Sequence, residues 1–434
     1  MKQILAVVLT LLFFPTTALA QAAYDAKALA DTRAFADEAR SGAVVAIADQ
    51  RVIAAWGAVD RKFELHSVRK SIYSALWGIA EAKGLVKLEA TLAQLGVDDI
   101  GALTAEEKKA RLADLLHARS GVYHPSAYSP SDMEAALPAR GSHAAGTHWF
   151  YNNWDFNVAG ALLETVTGKP LGVLFDEWIA RPLGMQDYRI EDVTVVREPG
   201  LSRWPAITMR MSARDLARFG QMWLAGGQWE RRTIVPAAWI ERASSAVSNT
   251  GRPGQGYGMM WWTYEPGSVD AARYPHAAKH RLVLARGTGG QVLAIVRDLD
   301  LVIVHRADTD HGRFVKGPDV WTILDRIIGA RGAVTVEPFA SQLPPYVRPK
   351  AISLDAKTKG ALTGEYELQP GVTARVFLHG DSLFAFMPGK GEAELFATSP
   401  TEFFVHVDPS VRIRFEDDAV RITMGGKEIV GKRK

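Results

Sequence analysis

The stretch ELHSVRKSIYSALWGIAEAKG, Glu64 to Gly84, decides how this chain is read. Its residues from Ile72 to Ala80 are mostly apolar, the composition of a helix buried in a core rather than laid on a surface. Yet its first turn carries Ser67 and Lys70. A serine at a helix start ordinarily caps it, accepting a hydrogen bond from a free backbone N–H. A lysine three residues on changes that reading, because residues three apart share a helix face and Lys70 can bring its amine to the Ser67 hydroxyl. The helix N-terminus also offers unpaired N–H groups to a developing oxyanion. Burial among apolar side chains disfavours the ammonium, and a neutral amine beside a serine is a general base beside a nucleophile. No other lysine in the chain has a serine three residues before it.

Two further stretches carry polar groups that suit the same chemistry. In HWFYNNWDFNVAG, Tyr151 is the only one of eleven tyrosines followed two residues later by asparagine, Asn153. A phenol near a lysine can lose or relay a proton, and a side-chain amide can grip a carbonyl. Taken alone, the pair reads equally as loop and helix cap. In ARGTGGQVLAIV, Ala285 to Val296, glycines at 287, 289 and 290 lead into a strand and let a ligand approach its edge. An N–H near Gly290 and Gln291 is then expected as a second oxyanion donor beside that of Ser67. The competing reading is a plain glycine turn.

In this order, S-x-x-K, Y-x-N and a glycine-rich strand entry resemble the serine β-lactamase and penicillin-binding protein superfamily. HSVRKSIYSALWGIA, LLHARSGV, MSARDLARFGQMWL, YGMMWW and GTGGQ are similar to its class C-like branch, with family VIII carboxylesterases, D-aminopeptidases and 6-aminohexanoate-oligomer hydrolases. The resemblance covers about residues 25 to 332. It implies Ser67 as nucleophile, Lys70 as its base partner, Tyr151 as proton relay to the leaving group, and Asn153, Thr288, Gly290 and Gln291 as substrate-binding. The lysine of K-T-G is missing. Thr288 stands in its place, with Arg286 close by, which weakens the expectation of β-lactam binding and favours an esterase or amidase. The later segment, with GEYEL and DSLFAFMPGKGEAELFATSPTEFF, resembles the small lipocalin-like domain appended to such hydrolases.

Working outward, residues 1–20 read as a signal peptide: Lys2, an apolar run from Ile4 to Phe14, and Ala18-Leu19-Ala20 before Gln21. Pro15 and two threonines end that run short of a membrane span. The expected location is periplasmic or secreted, with cleavage after Ala20. The chain has no cysteine, so neither a lipidated cysteine nor a disulfide is available. With 434 residues and a hydrophobic fraction of 47%, there is material for two or three domains. Fifty-one basic and 48 acidic residues leave a net charge of +3 and no basic track, so no nucleic-acid partner is expected.

The expected fold class is α/β (α+β). GAVVAIADQRVIAAWG reads as two strands about Asp49-Gln50, and QVLAIVRDLDLVIVHRA as two more about Arg297 to Asp300. Helices lie between, including SARDLARFGQMWLAGG, with VWTILDRIIGARG, Val320 to Gly332, as a closing helix. Terminal strands would then form one antiparallel sheet beside a helical layer, a hydrolase domain over 21–335. VEPFASQLPPYVRPK, 336–350, reads as a linker. Seven or eight short alternating strands over 351–434 suggest a small antiparallel β-barrel or sandwich.

No G-x-S-x-G, H-E-x-x-H or phosphate loop is present, so no metal or organic cofactor is expected. The leading expectation is an exported serine hydrolase acting on a small or peptide-like ester or amide. The alternatives are a β-lactamase, a D-aminopeptidase or penicillin-binding protein activity, or a non-catalytic binding protein of this fold. Oligomeric state is not legible.

Overall fold

The computed structural model describes residues 23–332, 350–388, 391–405, 411–424 and 427–434. The expected signal peptide and nearly all of the linker lie outside them.

Alternation builds the main sheet. Strands β1 (Ala43–Ala48) and β2 (Arg51–Gly57) form a hairpin whose turn residues, Asp49 and Gln50, both take positive φ, at 47° and 61°. That twist suits a two-residue turn between antiparallel strands. Strands β3 (Ser248–Asn249), β4 (Gln255–Tyr257), β5 (Trp262–Tyr264), β6 (Leu282–Gly287), β7 (Gln291–Val296) and β8 (Leu301–Arg306) complete eight strands in the order β2-β1-β8-β7-β6-β5-β4-β3. Every pairing is antiparallel, and strands from both ends of the hydrolase region share the sheet.

Both faces are covered. Val45, Ile47, Leu293, Ile295, Val302 and Val304 face the larger core. Their neighbours Val44, Ala46, Val292, Ala294, Leu301 and Ile303 face a second core. That is why these strands read as unbroken apolar runs. Helices α1 (Ala26–Glu38) and α5 (Gly317–Gly329) close the second core. The larger core holds α2 (Val68–Ala82), α3 (Asn153–Thr167) and α4 (Ala213–Leu224). Helix α4 starts at Ser212, whose hydroxyl accepts from the Asp215 N–H at 3.2 Å, and stops at Gly226 and Gly227. Helix α5 begins at Gly317, ahead of the expected Val320, with a proline in its first turn, where no N–H is needed.

Helix α2 is buried along its length from Val68 to Ala80. Gly78 allows that depth: a Cβ there would sit 2.5 Å from the Trp239 ring.

Eight antiparallel strands, the first beginning at Gly364 and the last ending at Arg433, close into a barrel, the barrel option of the two expected. Its inward residues, among them Val376, Leu395, Phe415 and Ile422, make a core of their own. The barrel joins the hydrolase region through a bridge in which the Glu392 N–H donates to the Arg197 carbonyl at 3.0 Å. Among the described residues no single helix is long and apolar enough to cross a membrane.

Candidate active site

The entry to α2 is a tight, left-handed corner. His66 takes φ 47°, uncommon for a residue with a side chain, and its ring is tied down at both nitrogens. Nδ1 lies 3.2 Å from the Tyr128 hydroxyl and Nε2 2.9 Å from Thr309 Oγ1. Burial holds the imidazole neutral, pushing it down to about 4. Ser67 follows in helical conformation at the N-cap position, yet its hydroxyl makes no capping hydrogen bond. The group is left for other work.

That hydroxyl faces Lys70. Lys70 Nζ is 3.1 Å from Ser67 Oγ, 2.7 Å from the Tyr151 hydroxyl and 2.7 Å from Asn153 Oδ1. It lies 4.2 Å from the centroids of both the Tyr151 and Phe156 rings. Lys70 is 1% exposed, and burial, helped by the adjacent Arg69 charge, holds its amine well below the usual lysine range. A neutral amine has two N–H donors and one lone pair. Three partners match that count if the Ser67 O–H donates into the lone pair while Nζ donates to Tyr151 and Asn153. Burial also pushes the Tyr151 phenol up to about 12, so it stays protonated as a proton donor.

The two asparagines of YNN divide their tasks. Asn152 caps α3, accepting from the Trp154 N–H at 3.1 Å. Asn153, expected at the substrate, is 4% exposed with both amide atoms engaged: Oδ1 by Lys70, and Nδ2 donating to the Tyr128 carbonyl at 2.9 Å. Its geometry positions the lysine.

The glycine-rich segment is a hairpin turn between β6 and β7, and here the structure corrects the sequence reading. Gln291 is fully buried, with Nε2 donating to the Ala307 carbonyl and Oε1 accepting from Arg306 Nε. Gly290 packs against Val315, and its carbonyl accepts from His305 Nδ1. Neither residue lines the cleft, because Gly289 and Gly290, at φ 80° and 99°, serve the turn. The strand edge that meets the nucleophile is Gly287: a Cβ there would lie 2.5 Å from the Leu65 carbonyl and 3.1 Å from Ser67 N. Thr288, next in the chain, does line the cleft. The backbone N–H groups of Gly287 and Thr288, both lining the cleft, therefore become the candidates for the second oxyanion donor in place of that of Gln291.

Around Ser67 and Tyr151 the cleft is walled by Trp149, Trp262, Thr250, Gln255, Arg252 and Arg286. Tyr151 stacks on Trp262 at 5.4 Å, and Trp149 meets Trp262 edge-on at 5.9 Å. Arg286 Nη1 donates to the Tyr264 hydroxyl at 2.6 Å, with its guanidinium over Trp262. Arg252 went unread in the sequence, since nothing local marks a loop arginine as a cleft residue. Among the described residues no carboxylate lines the cleft. Among the described residues no group of three or more His, Asp or Glu side chains could hold a metal.

A neutral amine, a serine hydroxyl and a helix N-terminus together can move a proton off an attacking oxygen and steady the resulting oxyanion, the chemistry of acyl transfer. Residues 26–322 match the family described as Beta-lactamase, and the chain belongs to that family. No curated protein matches it. Solved structures do. The octameric penicillin-binding protein homologue from Pyrococcus abyssi aligns at TM-score 0.51 and 15% identity, covering 93% of this chain and 99% of that one. The D-alanine carboxypeptidase AmpC from Burkholderia cenocepacia aligns at TM-score 0.51 and 19% identity over 70% of this chain and 99% of that one. A class C beta-lactamase in complex with cefoxitin aligns at 0.50 and 15% over 70% and 98%. At such identities the likeness is one of fold.

Proposed function

We propose that the chain is an exported serine hydrolase that cleaves an ester or amide through an acyl-enzyme on Ser67. The observation that supports it most is the buried Lys70 amine, within hydrogen-bond reach of Ser67 and Tyr151 together. In this reading the Ser67 hydroxyl gives its proton to Lys70 Nζ as Oγ bonds to the substrate carbonyl carbon. The oxyanion rests on the N–H group of Ser67 and on one from the strand edge at Gly287 and Thr288. As the intermediate collapses, the bond to the leaving group breaks and Tyr151 passes it a proton, which Lys70 replaces. Water then adds to the acyl carbon and Ser67 leaves with a hydrogen restored. Asn153 keeps the amine aimed throughout.

A second reading draws on Arg252 and Arg286, which bring positive charge to a cleft lined by no carboxylate among the described residues. It favours substrates that carry one, such as a β-lactam or a peptide ending in a D-amino acid. A panel of p-nitrophenyl acyl esters, nitrocefin and D-amino acid amides tests both. Turnover of none of them, with no labelling of Ser67 by a fluorophosphonate, would leave the non-catalytic reading in their place.

A further inference from the structure

Behind the cleft of Ser67 lies a second chamber, the barrel lumen, a cavity of about 300 Å³. Its end against the hydrolase region is lined by Glu64, His66, Tyr128, Thr309 and Asp310. Tyr128 stands between the two chambers. It borders the lumen, and its carbonyl accepts from Asn153 Nδ2 at 2.9 Å beside the base.

That carbonyl decides how Lys70 works. The Asn153 amide has an acceptor end and a donor end, and only one of them can face the lysine. A carbonyl only accepts, so Nδ2 turns to Tyr128 and Oδ1 to Lys70 Nζ, 2.7 Å away. Reversed, Nδ2 would donate into the lone pair of the neutral amine, the same pair that takes the Ser67 proton. The base would be occupied by its own support.

The carbonyl is carried by strained backbone. Tyr128 takes φ 61°, in the left-handed region that a residue with a side chain seldom adopts, so its surroundings must hold it there. The ring, 5.4 Å from the Arg69 guanidinium, and the hydroxyl, 3.2 Å from His66 Nδ1, fix the side chain. The main chain is fixed by Glu198, whose Oε1 accepts from the Tyr128 N–H at 2.9 Å. Glu198 is itself anchored. Its carbonyl accepts from the Leu201 and Ser202 N–H groups at 2.8 and 3.1 Å. The carbonyl of Arg197, one residue before it, accepts from the N–H of Glu392 in the barrel at 3.0 Å. Hydrogen bonds thus lead from the barrel contact through Glu198, Tyr128 and Asn153 to Lys70.

We propose that Glu198 is a positioning residue for the general base: by holding the Tyr128 N–H it fixes the Tyr128 carbonyl, which keeps Asn153 Oδ1 turned toward Lys70. The proposal rests on the acyl-transfer reading of Ser67 and Lys70.

Timed labelling of Ser67 by a fluorophosphonate, followed from acid to alkaline pH on the full chain, tests it, with thermal unfolding as the check on folding. Glu198→Ala should lower the plateau rate about tenfold or more. Glu198→Asp, an independent variant that keeps the charge but draws the oxygen back by one methylene, should lower it as well. Glu198→Gln, whose side-chain oxygen still accepts, should restore most of the parent rate.

The direction of the pH limb separates positioning from loosening. Labelling rises with pH as Lys70 loses its proton, and Oδ1, by accepting from Nζ, favours the ammonium. Turning Nδ2 inward removes that support, so the limb of Glu198→Ala should move to lower pH. The other groups that act on Lys70, the Arg69 charge and the Tyr151 hydroxyl, are untouched by the substitution. A site merely opened to water would relieve the burial and move the limb up, toward the ordinary lysine value.

Labelling of Glu198→Ala and Glu198→Asp at the parent rate overturns the proposal. So does a limb that stays in place or moves up, or a glutamine variant no faster than the alanine one. A parent that takes no label overturns the catalytic reading first, and this inference falls with it.

Discussion

His66 and Ser67 are consecutive, yet they face two chambers built on opposite principles. The cleft at Ser67 is polar, aromatic and cationic, and its function rests on a few side chains held by several hydrogen bonds each. The barrel lumen behind His66 is apolar along its strands apart from Tyr366, whose hydroxyl donates to the Leu362 carbonyl, and it owes its shape to alternation. In the cleft single atoms carry the geometry: Ser67 Oγ, the Tyr151 hydroxyl and Asn153 Oδ1 each meet the one Lys70 amine. A chamber that excludes water depends on summed surface, so any one lining residue can vary within limits of volume.

The sharpest break of that comparison is Ser67→Ala. It should lower turnover of every accepted substrate by at least about 10³-fold and abolish fluorophosphonate labelling, while thermal unfolding stays close to that of the parent. Retained activity would remove Ser67 from the chemistry. Lys70→Met comes next, with acylation slowed by about 10²–10⁴-fold. Its signature is in the pH profile. The base works when neutral, so the parent's acylation rate rises with pH through the depressed Lys70 pKa, well below the ordinary lysine value, and this limb should vanish in the variant. Tyr151, pushed up to about 12, should add no falling limb below about pH 10.

Gly287→Ala probes the contact between strand edge and nucleophile. Its Cβ would push on the Leu65 carbonyl and Ser67 N, so kcat should fall by about 10²-fold through misplacement. Pre-steady-state acylation kinetics separates this from lost binding. A smaller effect concerns substrate choice. On the proposed reading that Thr288 stands where the resembling family has a lysine to hold a carboxylate, short-chain p-nitrophenyl esters should exceed nitrocefin in kcat/KM by about ten- to a hundredfold. Faster nitrocefin hydrolysis would give the ground to Arg252 and Arg286.

The smallest expected effect is Glu64→Gln. Burial raises the Glu64 carboxyl to about 7, so between its unfolded pKa and pH 7 the folded state holds a proton that the unfolded state has released. Stability from this group is full below the unfolded pKa and declines as pH rises through about 7. The glutamine variant should flatten that part of the Tm–pH curve, and an unchanged slope would contradict the shift.

Legibility followed the range of the interactions. Ser67 and Lys70 were readable because three residues on one helix face is a local relation, and the hairpins at Asp49-Gln50 and Arg297 to Asp300 were readable for the same reason. The barrel strands announced themselves by alternation, whereas their closure around a lumen depends on register and curvature that no single strand encodes. Gln291 was misplaced because the hairpin register decides which glycine meets Ser67, and Gly287 pairs directly across from Gln291 in that hairpin. Arg252 reaches the cleft only through the fold of the sheet's far edge. Asn153 was read from its motif as a substrate contact, but its two amide atoms are engaged by Lys70 and Tyr128, partners far away in sequence.

The segment from Phe63 to Ser67 belongs to both chambers at once. Glu64 and His66 border the lumen, the Leu65 carbonyl presses on Gly287, and Ser67 opens into the cleft. For an evolving lineage this is a shared inheritance. Three of these five positions line one chamber or the other, so the two linings share a single short run of backbone. Diversification has more freedom farther out, on the strands of the barrel and in the loops that carry Thr250 and Arg252.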